Sequence, residues 1–182
     1  MVKCFVAVVF VALFALPALA QDDDFPRIEI SLGYGNVSTS TLDDFLTANI
    51  GASFSGRHSG FASAQGFNFT RWLGLENYLG YYGLGNRTEM FTNIFGAKAA
   101  YRNLPKIVPY AVAGIGGSSV SIGGYSFQGG SGFATRLGGG FDYKLNDGMS
   151  IRFDFSRLSH HLFDEWRSGT NFSTGVVLNL GQ

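Results

Sequence analysis

The chain has 182 residues, a formal net charge of zero, 14% charged residues and 15% aromatic residues. This length fits one domain or at most two small ones, and the charge balance argues against a nucleic-acid-binding protein, which usually carries a basic surplus. The aromatic content and low charge exclude a disordered chain, and the 26 glycines form no Gly-X-Y repeat of the collagen type.

The first twenty residues have the pattern of a cleavable signal peptide. A basic start ending at Lys3 precedes an apolar run from Cys4, and small residues close the segment at Ala20. The alternative is a membrane-anchoring helix, but the run of 17 residues is at the lower limit for a span. We predict a signal peptide at 1–20 and one mature domain at 21–182. Cleavage would remove the only cysteine, so we expect no disulfide.

The mature chain alternates apolar and polar residues with the period of β-strands. No segment in it is apolar for long enough to span a membrane as a helix. Eight strand segments are predicted, four of them clear, at 28–35, 133–144, 149–156 and 171–180, and four weaker, at 60–71, 73–82, 89–101 and 107–119.

The weaker segments carry amides on the face that is otherwise apolar. Asn77 and Asn93 fall on this face, and Gln65 shares it with Phe67 and Phe69. A β-bulge in one of these strands would restore the phase, and we expect one at a position that is left open.

The connections between the predicted strands alternate in length. Small outer-membrane barrels show this asymmetry, with long loops outside the cell and short turns in the periplasm. Both chain termini should then be periplasmic. Longer loops are expected at 38–59, 83–88, 120–131 and 159–169, and short turns near 71–73, 102–106 and 146–148.

The two faces of the strands favour a membrane barrel over a secreted lipocalin-like cup, whose flanking helix has no counterpart in the sequence. The polar face is rich in Gly and its charges are mixed in sign, as an enclosed network requires. We predict a structural lumen charge network of Glu29, Glu76, Lys98, Arg136, Asp142, Arg152 and Asp154. Aromatic residues near strand ends suggest interfacial belts, namely Tyr34, Trp72, Tyr81, Tyr101 and Tyr143.

Four short segments resemble the small eight-stranded β-barrels of the outer membrane protein A and opacity type. They are RWLGLE at 71–76, GGGFDY at 138–143, IRFDF at 151–155 and FSTGVV at 172–177. The resemblance covers about 26–182. It implies an all-β fold, an eight-stranded antiparallel up-and-down transmembrane β-barrel in the bacterial outer membrane, with a charge-paired interior.

The resemblance also implies the surroundings of the protein. We expect outer-membrane lipid and lipopolysaccharide around the barrel, the barrel-assembly machinery during insertion, no cofactor and no nucleic acid. The partner of the outer loops is left open. The chain ends at Gln182 rather than on the aromatic residue common in such barrels. It shows no peptidoglycan-binding domain, so we expect no cell-wall tether.

Few residues suggest chemistry. His160 and His161 with Asp164 and Glu165 could hold a metal, but their spacing fits no standard structural site and a solvated loop tip is the alternative. Ser159 beside His160 raises a lipid A acylase or deacylase, yet adjacent strand residues point to opposite faces. We expect no catalytic, metal-binding or cofactor-binding residues.

Two glycine runs, at 114–117 and 138–140, could be phosphate loops. No Lys-Ser/Thr and no strand-to-helix switch follows them. Bends or close backbone approach within strands explain the glycines better.

These patterns favour a non-catalytic barrel that serves envelope integrity or surface interaction. The alternatives are a small pore and a lipid A-modifying enzyme. An interior of eight strands is just wide enough to be filled by side chains, which argues against an open channel.

A three-residue hairpin at 146–148 would put Gly148 in the left-handed region and Leu145 opposite Met149. Asp142 would then lie across from Arg152 on the polar face. A two-residue loop would instead set Asp142 against an outward Phe, so the face pattern selects the former register.

The predicted orientation is testable by epitope insertion. A tag near Thr47 should react with antibody on intact cells, because 38–59 is an outer loop, whereas a tag at Asp147 should react only after permeabilisation. Antibody labelling of intact cells measures both, and the opposite result would reverse the orientation.

Overall fold

The computed structural model describes residues 25–38, 56–85, 88–122, 125–162 and 164–181. The predicted signal peptide and most of the loop at 38–59 lie outside these residues. The strands are β1 (Ile28–Ser38), β2 (Arg57–Asn68), β3 (Leu73–Gly85), β4 (Thr88–Ala100), β5 (Ile107–Ile122), β6 (Tyr125–Asn146), β7 (Met149–Leu162) and β8 (Glu165–Leu180). None of the described residues forms a helix that is long and apolar enough to cross a membrane.

The eight strands pair antiparallel in chain order and close between β1 and β8. The predicted up-and-down barrel is therefore confirmed. Following paired residues once round the barrel from Ala100 returns to β4 at Met90, ten residues away. A shift of ten residues over eight strand spacings tilts the strands by about 40°, within the range usual for barrels.

The outer wall carries an aromatic belt near each end. We call the end at which β1 begins and β8 ends the lower end. Trp72 and Tyr101 pack at a ring distance of 5.3 Å there, and Tyr143 is exposed at the same end. At the upper belt Tyr34 and Tyr81 both lie beside Phe61 across the ladder.

The belt spacing matches a membrane. Trp72 and Tyr81 lie nine residues apart, which is about 23 Å along the barrel axis at this tilt. Lipid-facing bands of such barrels are about 25 Å tall. The apolar outer wall is therefore the membrane-facing surface.

The longer loops at the upper end are shorter than predicted. β5 and β6 leave only residues 123–124 between them, and β7 and β8 leave only 163–164, so the loops expected at 120–131 and 159–169 are wrong. Likewise, β3 and β4 extend into 83–88. Serine and glycine interrupt the alternation there, but the backbone ladder continues because its hydrogen bonds do not require an apolar face.

The prediction of a β-bulge that would turn the amides of the weaker strands inward is also wrong. The register of β2 against β1 and β3 is continuous, and so is that around Asn77 and Asn93. Within the described residues, register shifts occur at 83/85, 119/121 and 144/146. Gln65, Asn77 and Asn93 therefore do alternate with buried lumen residues and face the membrane.

The turn between β6 and β7 differs from the predicted hairpin. It contains Asp147 and Gly148 alone, and Asn146 rather than Leu145 lies opposite Met149. The φ angle of Gly148 is outside the left-handed region. A register shift beside the turn absorbs the third residue, so the register beyond it is that of the longer loop. Asp142 consequently lies opposite Arg152, as predicted.

Close backbone approach at Gly33 gives a stability prediction. A Cβ added there would lie 2.1 Å from the Thr174 carbonyl oxygen, whereas one at Gly83 would meet nothing within 4 Å. Gly33→Ala should lower the free energy of unfolding by about 1–3 kcal/mol because the backbone of β8 must shift, and Gly83→Ala should be near neutral. Urea unfolding in detergent measures both, and equal losses would contradict this account.

Candidate functional site in the barrel lumen

The lumen side chains come from alternate residues of every strand. Inward residues are odd-numbered on β1 and β8 and even-numbered on β2 to β7. All seven residues of the predicted charge network lie on this inner face, and each is at most 5% exposed. The structure therefore brings them into one enclosed cluster. Arg102 joins them from the turn after β4.

Glu29 lies in the lower part of the cluster, where its carboxylate accepts hydrogen bonds from four donors. Its Oε1 accepts hydrogen bonds from Arg102 Nη2 at 2.6 Å and Asn68 Nδ2 at 3.0 Å. Its Oε2 accepts from Arg152 Nη2 at 2.9 Å and from Lys98 Nζ. Groups from β2, β4, β7 and the β4–β5 turn thus converge on one carboxylate of β1.

Arg152 is the most connected cation. Its Nε and Nη2 donate to the two carboxylate oxygens of Asp142, each at 2.7 Å, which is the bidentate geometry that a guanidinium favours. Its Nη1 donates to Glu76 at 3.1 Å and its Nη2 reaches Glu29 as well. The guanidinium also lies 4.8 Å from the Tyr110 ring centre, a favourable cation–π position.

Arg136 links the upper part of the cluster. Its Nη1 donates to Glu76 at 2.8 Å and its Nη2 to Asp154 at 2.6 Å. The guanidinium lies 4.3 Å from the centre of the Tyr78 ring. The Tyr110 hydroxyl donates to Asp154 at 2.8 Å, so both carboxylates of this layer have several partners.

The cluster is balanced in charge. Four carboxylates (Glu29, Glu76, Asp142, Asp154) meet four cations (Lys98, Arg102, Arg136, Arg152) through ion pairs. Desolvating a charge is costly unless it is paired and hydrogen-bonded, so this balance is what makes the cluster tolerable.

Sequence reasoning missed Arg102 because it follows a strand in a predicted turn, where arginine is usually solvated. A signal was nevertheless present. The predicted network held four carboxylates against three cations, and an enclosed network of that composition lacks one cation. Arg102 supplies it, and its Nη1 also donates to the Arg71 carbonyl oxygen at 2.6 Å.

Above the charged cluster the lumen becomes apolar. Tyr82 joins the two regions, because its hydroxyl donates to Asn171 at 2.7 Å and also contacts the Tyr78 hydroxyl. A buried cluster fills the upper lumen with Val37, Tyr82, Met90, Ile94, Val120, Ala134, Leu158 and Leu162.

The residues considered for chemistry do not form an active site. His160 is 2% exposed inside β7, so the alternative of a solvated loop tip is wrong for this residue. Ser159 points outward, where its Oγ lies 2.9 Å from Ser168 Oγ, so it cannot use His160 as a base. Within the described ranges, no three His, Cys, Asp or Glu side chains are grouped to hold a metal.

The two glycine runs lie within the ladder. Gly114, Gly116 and Gly117 are in β5, and 138–140 is in β6, all paired with neighbouring strands. A Cβ at Gly116 or Gly140 would lie within 2.0 Å of a neighbouring carbonyl oxygen. Close backbone approach therefore explains these two positions without a phosphate ligand.

Comparisons with known proteins give the same architecture. The family model for "Outer membrane protein beta-barrel domain" matches residues 6–179. No curated protein matches the chain.

Solved structures are similar at low identity. Neisserial surface protein A (NspA) has 13% identity and a TM-score of 0.60, covering 84% of this chain and 96% of that one. OprG from Pseudomonas aeruginosa has 10% identity and a TM-score of 0.58, covering 86% and 96%. Ail, the attachment invasion locus protein of Yersinia pestis, in complex with the heparin analogue sucrose octasulfate, has 17% identity and a TM-score of 0.53, covering 83% and 97%. At these identities the likeness concerns the fold alone.

A double-mutant cycle tests the central ion pair. Asp142→Ala and Arg152→Ala should each destabilise the barrel, Arg152→Ala more, because it leaves three carboxylates short of a donor. The coupling free energy between them should be about 1–3 kcal/mol. Urea unfolding in detergent measures the cycle, with Lys106→Ala in an exposed turn as a control of small effect. Strict additivity would show that the two side chains do not interact energetically.

Proposed function

This chain belongs to the family of outer membrane protein beta-barrel domains and lies in the bacterial outer membrane, and we propose that it acts there without catalysis, in envelope integrity or surface interaction. The observation that carries the proposal is the lumen, in which eight charged residues are each at most 5% exposed and are linked to one another by ion pairs.

The lumen argues against the alternative of a small pore. A solute moving along the axis would have to pass the cluster around Glu29 and Arg152, whose charges already satisfy one another. It would then meet the apolar layer that contains Met90 and Leu158. Breaking a buried ion pair costs several kcal/mol, so thermal opening of this path should be rare.

The upper end supports a role at the cell surface. About 9–11 tilted residues suffice for a strand to cross the bilayer, yet β6 has 22 residues and β5 and β8 have 16 each. The excess stands above the upper aromatic belt. There Trp166 is 58% exposed and packs edge-on against Phe133 at 6.0 Å, which offers an ordered aromatic surface.

The surroundings follow from the same geometry. We propose that lipopolysaccharide surrounds the upper half of the outer wall, where Tyr34 and Tyr81 form part of the interfacial belt. We also propose that the barrel-assembly machinery inserts the chain, since the barrel closes only when its first strand, β1, pairs with its last, β8.

The alternative of a lipid A-modifying enzyme has less support. The only Ser–His neighbours considered for it, Ser159 and His160, project to opposite faces. A nucleophile and its base must come within hydrogen-bond reach. The proposed role is therefore non-catalytic.

Conductance and lipid analysis together test this proposal. The purified barrel in a planar bilayer should give no stepwise current, with a known porin as positive control, because the lumen is filled and paired. Lipid A from a deletion strain should have an unchanged mass spectrum. Discrete channels would favour the pore, and a change in acyl chains restored by the wild-type gene would favour the enzyme.

A further inference from the structure

Two primary amides face the membrane near its midplane. Gln65 lies four residues from Phe61 and four from Phe69 on the same wall, and both of these rings are about half exposed. Asn77 lies four residues from Tyr81 and five from Trp72, which mark the two belts. The two amides are directly paired across the β2–β3 ladder. Together with Ser63 they form one polar patch, which we call the amide patch.

The amide patch is only partly satisfied within one chain. Gln65 Nε2 donates to Ser63 Oγ at 2.6 Å, and Asn77 Nδ2 contacts Gln65 Oε1 at 3.4 Å. Two primary amides offer four N–H donors and two carbonyl oxygens. Within the described residues, Asn77 Oδ1 accepts no hydrogen bond. Donor and acceptor capacity therefore remains at this depth.

Lipid cannot supply the missing partners. The bilayer centre is hydrocarbon, and an unsatisfied polar group there costs free energy. Headgroups and ester or amide linkages lie at the interfaces, about 10 Å or more away. The missing partner must therefore be a protein group that reaches the same depth.

We infer that the β2–β3 wall is the interface of a symmetric dimer in which the amide patches of two copies meet. A two-fold axis along the membrane normal keeps every residue at its own depth, so Gln65 and Asn77 of one copy face the same residues of the other. Such an interface needs self-complementary groups, and an amide is both donor and acceptor. Amide contacts of this kind drive association of membrane segments.

The surroundings of the patch suit this arrangement. Ser63 lies above Gln65 and is paired with Leu79, and Phe67 lies below and is paired with Leu75. Leu79 above and the Phe67–Leu75 pair below thus place apolar side chains on both sides of the two amides. The dimer requires only membrane insertion, so it can hold or fail independently of the role in envelope integrity or surface interaction.

Energy transfer in vesicles tests the association. The mature chain with Lys106→Cys in an exposed turn is labelled separately with donor and acceptor, mixed and folded into phosphatidylcholine vesicles at a series of protein-to-lipid ratios. We expect transfer above the random-mixing level for this protein. Gln65→Leu with Asn77→Leu should weaken association about tenfold or more. Thr135→Leu with Thr174→Leu, which removes outward hydroxyls elsewhere on the wall, should leave it unchanged.

Cysteine cross-linking then locates the interface. Leu79→Cys should form a disulfide-linked dimer, and Leu137→Cys on β6 should not. Heat-modifiable migration on a detergent gel checks that every variant is a folded barrel. Three results would each overturn the dimer. They are energy transfer at the random-mixing level for the protein with Gln65 and Asn77 intact, undiminished association of the leucine double variant, and equal cross-linking at both cysteines.

Discussion

The ion pairs around Glu29 and Arg152 constrain how the strands can be arranged around the lumen. A carboxylate inside a narrow barrel has little access to water, so it must find cations or become neutral. Glu29 receives donors from β2, β4, β7 and the β4–β5 turn. Each donor belongs to a different part of the sheet, so the pairing tolerates only one register between strands. The polar interior therefore specifies the barrel as well as filling it.

Large and small side chains lie on opposite sides of the lumen. Arg136 and Arg152 project from β6 and β7, and the tyrosines beside them, Tyr78 and Tyr110, project from β3 and β5. The wall that they meet, formed by β1, β2 and β8, presents small residues at the same level, among them Ser31, Gly33, Ala62, Ala64 and Gly175. An interior of eight strands is narrow, and large groups on every strand would overfill it. The small residues of β1, β2 and β8 thus leave space opposite Arg136 and Arg152, and Gly33 and Gly175 also let the backbones of β1 and β8 approach closely.

The outer wall of the barrel faces lipid hydrocarbon instead of an enclosed polar interior. Apolar and aromatic residues cover it between the two belts, and the few polar ones are informative because hydrocarbon offers them no hydrogen bond. In the sequence, Gln65 and Asn77 interrupt the alternation of apolar and polar residues. The continuous register of β2 and β3 shows that they are membrane-facing residues. Their depth limits the groups that can satisfy them to protein groups.

Local sequence patterns were sufficient to predict the eight strands, their two faces and the register that pairs Asp142 with Arg152. Alternation with a period of two is a local property, and a hairpin register depends only on neighbouring residues. The position of Arg102, the full length of β5 to β8 and the burial of His160 became evident only in the folded barrel. These depend on groups distant in sequence. Arg102 finds Glu29 across 73 positions, and the upper strands are held by ladder bonds that serine and glycine make as readily as apolar residues do.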